Sequence, residues 1–449
     1  MIFLNYFAAP NQIMVWGFSF IKKCNQNILM NIRKKSNTEF IIIMASLMSL
    51  ASLSIDALLP GLNEIGSAIG ISDAKNNQLL ITMIFLGTGF GQLISGPLSD
   101  SLGRKPVVYM GYSVFAMASL LCIFATSLEM MVLGRILQGI GLSAPKTVSM
   151  AMVRDRFVGD NMARIMSFVT AIFILAPVIA PSFGKLMLDS FGWQSIFTSQ
   201  VIFGFLVVIW LWQRQPETLP EVNRKKMKFS LFTDGIKEFA KHKQTVIFTF
   251  VGGLTTAAFM VYLSSSQQIF QVQYGLVEEF PYIFAGIAIV IGLSTFLNGA
   301  LVIRFGMLKL ASAFNLALTL ISMAYVFLYY GEPNPSLSIL LVFFVIMIFC
   351  VGFMFGNINA LAMQPIGHIA GIGAAICGFL ATIIAVPLAT FIGRFIEITA
   401  IPLFIGFAVC GGISLLLIQY FKWSNKRKAI EQESELQVEP LLVKSKNMK

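Results

Sequence analysis

The chain predicts an all-α membrane protein with twelve spanning helices in two similar halves, and three observations carry that prediction. The first is composition. Of the 449 residues 57% are apolar and 12% are charged, whereas soluble domains are about a quarter charged. The second is length. A helix needs about 20 consecutive apolar residues to cross a bilayer core, and twelve such runs occur. The third is a repeat. The charged turn Gly96-Pro-Leu-Ser-Asp-Ser-Leu-Gly-Arg-Lys105 has a weakened copy in Gly299-Ala-Leu-Val-Ile-Arg-Phe-Gly306, with Gly, Leu and Gly at the same offsets. A membrane chain of two similar halves, each with such a turn after its second helix, implies a transporter.

The apolar runs cover 39–60, 76–97, 107–126, 130–153, 163–188 and 195–213, then 244–266, 281–303, 308–329, 337–358, 370–393 and 399–421. A polar segment, 214–243, divides them six and six. The expected organisation is an N-terminal cytoplasmic extension (1–38), a six-helix bundle (39–213), a cytoplasmic linker (214–243), a second six-helix bundle (244–421) and a cytoplasmic tail (422–449).

The extension is mildly apolar, but Asn11, Asn25, Asn27, Lys22 and Lys23 interrupt any span, and it lacks the layout of a signal peptide. Either translation starts at Met30 or residues 12–23 form an interfacial helix. The linker carries Lys225, Lys226, Lys228, Lys237, Lys241 and Lys243. Helical spacing of Leu231, Phe232, Ile236 and Phe239 predicts a helix lying on the anionic inner leaflet. The mixed-charge tail is expected to be disordered.

Orientation follows from Lys and Arg. With the N-terminus in the cytoplasm, the inner segments hold Arg33, Lys34, Lys35, Arg104, Lys105, Arg154, Arg156, the linker cluster, Arg304, Lys309 and the basic tail. The outer loops hold Lys75 and Arg394, with Lys185 near a helix end. Glu64, Asp73, Asp189, Glu278, Glu279 and Glu332 fall mostly outside. This asymmetry predicts both termini in the cytoplasm. It also accounts for the net charge of +11 without nucleic acid.

Cys24, Cys122, Cys350, Cys377 and Cys410 have no CxxC spacing, and four of them lie in apolar runs as small fillers. The two histidines, His242 and His368, stand far apart in the sequence, and no metal site is expected.

In the first turn, positive-inside charge accounts for Arg104 and Lys105 but not for Asp100 or the glycines. Gly96 and Gly103 allow close approach and a tight turn. Asp100 suits the positive end of a neighbouring helix. Arg104 is placed to bridge to Asp155 at the inner end of helix 4. Contacts that lock one conformation and break in another serve alternating access.

These residues resemble a known family. Gly96 to Lys105 is similar to the loop 2–3 signature of the major facilitator superfamily, with Ser101 where a basic residue is usual. Gly134-Arg-Ile-Leu-Gln-Gly-Ile-Gly141 resembles the helix 4 signature of its drug/proton antiporters. Ala176-Pro-Val-Ile-Ala-Pro-Ser-Phe-Gly184 resembles the antiporter motif, and Pro216-Glu-Thr-Leu219 belongs with the same group. Ile55-Asp-Ala-Leu-Leu-Pro60, Val153-Arg-Asp-Arg-Phe157 and Asn359-Ala-Leu-Ala-Met-Gln-Pro-Ile-Gly-His-Ile-Ala-Gly371 together resemble the Bcr/CflA exporters. The resemblance runs from 39 to 421. It implies the major facilitator fold and proton-coupled efflux of small molecules from a monomer in the bacterial inner membrane. The proton gradient is then the energy source, and no cofactor is implied.

The resemblance places helices 1 and 4 around a central cavity, which brings Asp56 and Arg135 within reach of each other. Each lies four or five residues from its helix's outer end, roughly 8 Å deep for Arg135. Charges in a bilayer are costly and are usually functional or paired. Asp56 is expected to bind a proton or a cationic group, with Arg135 tuning it. The plainer readings are an interfacial helix end for Asp56 and snorkelling for Arg135. Lys146, nearer the inside, either snorkels to the cytoplasm or faces the cavity, where it favours anionic or zwitterionic cargo.

Pro177, Pro181 and Gly184 bend or loosen helix 5, as a packing kink or as the family's barrier to leak. Gly87/Gly91 and Gly352/Gly356 are helix-packing pairs. Residues 264–266, Gln267, Gln268 and Asn357 are polar groups that either line the path or satisfy one another. An importer of a metabolite or siderophore on the same fold stays open. A membrane enzyme or a sensor lacks a catalytic cluster or a soluble domain to support it.

Overall fold

The computed structural model describes residues 37–71, 73–224 and 230–446. Among these no strand occurs. Twelve long helices follow one another: α1 (37–56), α2 (Leu79–Leu102), α3 (Arg104–Ile123), α4 (Leu128–Arg156), α5 (Gly159–Phe191), α6 (Gln194–Arg214), α7 (Lys243–Gln267), α8 (Phe280–Phe305), α9 (Met307–Tyr329), α10 (Leu337–Met363), α11 (Ala370–Gly393) and α12 (Ile401–Lys446). A linker helix, Ser230–Lys241, separates the sixth from the seventh. Helices are dictated by the solvent, because in hydrocarbon every backbone N–H and C=O must be satisfied within its own segment. The expectations for residues 1–36 and for Lys225, Lys226 and Lys228 fall outside the described residues.

Eleven described helices are long and apolar enough to cross a membrane. The twelfth, α4, has 29 residues but carries Arg135 and Lys146 in its middle. It is buried by its neighbours instead. In the first half α4 packs against α2 and α3, and α3 against α6. In the second half α7 packs against α10, α11 and α12, while α9 packs against α10 and α12. The halves meet where α2 lies along α11 and α5 along α8.

Small residues set the closest approaches. A Cβ on Gly87 would collide with the Ile136 carbonyl, and one on Gly139 with that of Ile84. The α2 and α4 backbones are therefore in direct contact, which only glycine permits. In the other half Gly352 of α10 sits against the Ser294 hydroxyl of α8. The two related turns also share a geometry. Gly103 ends α2 at φ +106° and Gly306 ends α8 at φ +81°.

Three expectations change. After α1 the chain does not stop at Pro60 but makes a 3₁₀ turn, Leu59–Gly61, and a short helix, Leu62–Ala68. Proline suits the first turn of a helix, so Pro60 starts one here. The polar tail expected to be disordered continues α12 to Lys446. Its Lys, Glu, Gln and Leu content suits helix, and an existing helix needs no new nucleus. The linker helix turns its apolar face to protein. Gly235 and Phe239 are buried against Ile372 and Ile376 of α11, which offers an apolar surface at that end, while Ile236 stays exposed.

Candidate functional site

The end of the molecule where α1 starts, and where the linker lies, is called the terminal end; the other is the distal end. At the terminal end the Arg104 guanidinium, 8% exposed, gathers three helices. Its Nε donates to Asp155 Oδ2 at 2.8 Å and its Nη2 to Asp155 Oδ1 at 3.2 Å. Its Nη1 donates to Asp100 Oδ1 at 2.5 Å and to Ser99 Oγ at 2.8 Å. Asp100 is therefore a partner of Arg104 and does not cap a neighbouring helix.

Glu217 does that capping. Its carboxylate accepts from the backbone N–H groups of Arg104 and Lys105, both at 3.0 Å, at the start of α3. A carboxylate suits those unsatisfied donors and the positive end of the helix dipole. Thr218 donates to Asp155 at 3.0 Å. Lys105 Nζ donates to the Gln215 carbonyl at 2.6 Å, at the end of α6. The ends of α2, α3, α4 and α6 are thus one polar cluster. Gly103 faces Glu217 closely, whereas a Cβ on Gly96 would meet open space, so the close approach expected at Gly96 does not occur. The second turn has none of these charges, with Ile303 and Met307 at the matching positions.

Inside the first half, Asp56 is 5% exposed and Arg135 is fully buried. They form no ion pair. Asp56 accepts from Ser52 Oγ at 2.6 Å, one turn back on the same helix. Arg135 donates to the Leu80 carbonyl of α2 at 2.6 Å and, through both Nη atoms, to the Ser54 carbonyl of α1 at 3.1 Å. It also donates to Gln138 Oε1 at 2.8 Å, and Gln138 passes the chain to Ser119 of α3 at 2.7 Å. Arg135 is a brace among four helices. Neutral carbonyls win it because a helix interior leaves so few acceptors, and a guanidinium has five donors to place.

Lys146 stands eleven residues further along the same face of α4. It is half-buried, and no hydrogen bond or ion pair to its ammonium occurs among the described residues. Pro177 and Pro181 sit within α5, which runs on as one helix through both, and Gly184 lies against the Ala57 backbone.

In the second half, Asn357 of α10 and Asn298 of α8 bond reciprocally, at 2.7 and 3.4 Å. Gln267 bonds Gln271 at 2.8 Å. Gln268 accepts from Gln78, just before α2, at 3.1 Å. These expected cavity groups are held by neighbours outside their own set, and Ser265 Oγ has no hydrogen-bond partner among the described residues. Gln267, Gln268 and Gln78 also line a small cavity of about 40 Å³ with Asn63, Asn77 and Ser264. Tyr262 of α7 is buried, and its hydroxyl has no hydrogen-bond partner.

Polar contacts join the halves at the distal end. Lys75 pairs with Glu397, Lys185 with Glu278 at 3.0 Å, and Gln78 donates to the Gly393 carbonyl at 3.1 Å. Further in, Phe90 of α2 stands edge-on to Phe379 of α11 at 5.0 Å. At the terminal end the two histidines, distant in sequence, converge on one carboxylate. His242 Nε2 lies 3.1 Å and His368 Nε2 3.5 Å from Glu238 Oε1 of the linker helix. Lys241 and then His242 hold the Glu238 carboxyl below the usual range. No group of three metal-ligating side chains occurs among the described residues.

Glu217 and Gln78 were not among the expected site residues. The signal for Glu217 was present in Pro216-Glu-Thr-Leu219. Gln78 had none, because its partners lie in the other half of the chain.

Twelve helices in two bundles that meet over buried polar groups have the architecture of a membrane transporter. Residues 43–385 match the profile of the Major Facilitator Superfamily, and the chain belongs to that superfamily. It is 26% identical over 413 residues to a bicyclomycin resistance protein homolog of Haemophilus influenzae, covering 88% of this chain and 99% of that one. It is 28% identical to the uncharacterized MFS-type transporter YdgK of Bacillus subtilis, over 84% and 93% of the two chains. It is 26% identical to the multidrug resistance protein MdtL of Shigella dysenteriae, over 85% and 95%. These relatives agree with the Bcr/CflA resemblance. Among solved structures, the xylose transporter XylE of E. coli, in a partially occluded inward-open conformation, superposes with a TM-score of 0.67 at 12% identity over 86% of this chain and 98% of that one. That match speaks for the fold alone.

Proposed function

We propose that this chain is a proton-coupled antiporter that exports drugs or other small molecules across the bacterial inner membrane, acting as a monomer with both termini in the cytoplasm. Asp56 carries the reading. It is a carboxylate buried within the membrane-spanning region, held by one hydroxyl and by no cation, so its charge depends on a proton. Burial disfavours the ionised form of such a group, and conformational change that wets it releases the proton. Arg135 keeps α1, α2 and α4 in register around it. The names of the bicyclomycin and multidrug resistance relatives support efflux.

In this orientation the distal end is the outer face. Lys75–Glu397, Lys185–Glu278 and the Gln78 contacts then close the outer gate, and the Arg104–Asp155 cluster secures the inner ends of the first bundle. Gly96, Asp100, Gly103, Arg104 and Asp155 form the gating element. Gly184 packs α5 against the Ala57 backbone, and with Pro177 and Pro181 it limits leak. The test is transport by proteoliposomes under an imposed pH gradient, screened over cations, anions and peptides. Asp56→Asn should abolish the dependence on the gradient. If no compound moves with proton flux in either direction, the reading is wrong.

A further inference from the structure

Among the described residues, the first half holds three acidic or basic side chains deep within its spanning helices, and two have partners. Asp56 takes the Ser52 hydroxyl, and Arg135 spends its donors on the Ser54 and Leu80 carbonyls and on Gln138. Lys146 is the third. Eleven residues at 100° each return α4 to within about 20° of Arg135, so Lys146 projects on the same inward face, roughly 16 Å along the axis. Leu133, 52% exposed, marks the opposite, lipid-facing side.

Lys146 lies ten residues before Arg156, the end of α4, or about 15 Å from it. A four-carbon stem does not span that distance, so the ammonium does not reach bulk water by snorkelling. Its surface is nevertheless partly accessible. Because Lys146 sits on the inward face of α4, that accessibility points to the region between the helices. No described carboxylate lies within ion-pair distance of it. An unpaired cation at such depth is costly to keep, and its partner is expected to come from what enters between the helices.

We propose that Lys146 is the recognition group for the cargo, and that the cargo carries a carboxylate or another oxyanion. This deepens the transport reading above and rests on it. Arg135 touches Ser54 on α1, which puts Asp56 at the Arg135 level and well away from Lys146. Proton and cargo then occupy separate places and do not compete for one carboxylate. A lipophilic cation meets Lys146 as a like charge and is disfavoured.

The experiment compares entry of carboxyfluorescein, an anion, with that of ethidium, a cation, in proteoliposomes, both under a pH gradient and in exchange without one. Wild type should move carboxyfluorescein in preference. Lys146→Gln should lower that movement about tenfold or more, the worth of one charge-assisted hydrogen bond, while Lys146→Arg retains it. In Lys146→Cys the thiol should react with an impermeant sulfonate reagent from one side of the membrane, and carboxyfluorescein should slow that reaction. An unreactive thiol, absence of carboxyfluorescein movement, a preference for ethidium, or a preference unchanged in Lys146→Gln each overturns the proposal. Loss of the pH-gradient effect alone, with the dye preference intact, refutes proton coupling and leaves the assignment of Lys146 standing.

Discussion

The α2–α3 turn and the α8–α9 turn are built on the same backbone and do different jobs. Both reverse at a glycine of positive φ, Gly103 and Gly306. Both follow the second helix of a six-helix half. Only the first is closed by charge, through Arg104, Asp100, Asp155 and Glu217. The glycine encodes the bend and the charges encode the lock, and duplication has preserved the former while the second copy lacks the latter. A two-fold fold can therefore carry a one-sided latch.

The largest effect should separate the copies. Arg104→Ala strips the partner from Asp155, whose side chain is 16% exposed. Losing one member of a mostly buried pair costs about 3–5 kcal/mol. Met307→Ala, at the matching place, should cost under about 1 kcal/mol. Thermal unfolding in detergent measures both, and equal losses would erase the distinction. Next, Gly103→Ala and Gly306→Ala test what is shared. Each glycine sits in a backbone region that other residues enter at about 1–3 kcal/mol. Both variants should be destabilised, Gly103→Ala more, because its Cβ would stand 3.0 Å from Glu217. If only one suffers, the turns are not the same device.

Glu217→Ala should come third, at about 1–2 kcal/mol for a lost helix cap. The second half offers no equivalent variant. The smallest effect concerns the linker between the halves. Glu238 has a depressed pKa, from Lys241 and then His242. A depressed carboxylate contributes stability above its unfolded pKa, near 4.3 or so, and loses it as pH falls through its folded value. Protease protection of the linker helix should therefore hold at neutral pH and fall only in that acidic range. Loss of protection at neutral pH would put the control of linker docking elsewhere.

The helices were legible because a bilayer makes apolar length a nearly sufficient signal. Even α4, with Arg135 and Lys146 inside it, was legible as the apolar run 130–153. Side-chain partners were much less legible. Asp56 and Arg135 are opposite charges at similar depth, and proximity alone favoured a pair. The structure gives Arg135 two carbonyls and an amide instead, because local acceptors were nearer than the acid. His242 and His368 lie on different helices' ends, 126 positions apart in the numbering, and only tertiary folding brings both to Glu238. The linker helix showed its apolar stripe in sequence, but not whether lipid or α11 would cover it. Glu217 was visible as a motif without a role until the N-terminus of α3 came to rest against it.

The brace around Arg135 has a consequence for how the protein is made. A helix entering the bilayer alone pays about 2.5–3.5 kcal/mol for an Arg or Lys at its centre, and α4 holds Lys146 near its middle with Arg135 shallower but fully buried. It is a poor candidate for independent insertion. The Leu80 and Ser54 carbonyls that receive Arg135 belong to helices synthesised earlier. α1 and α2 must still be beside the insertion site when α4 arrives, so the first four helices enter the membrane as a group, and the order of synthesis is itself part of the fold.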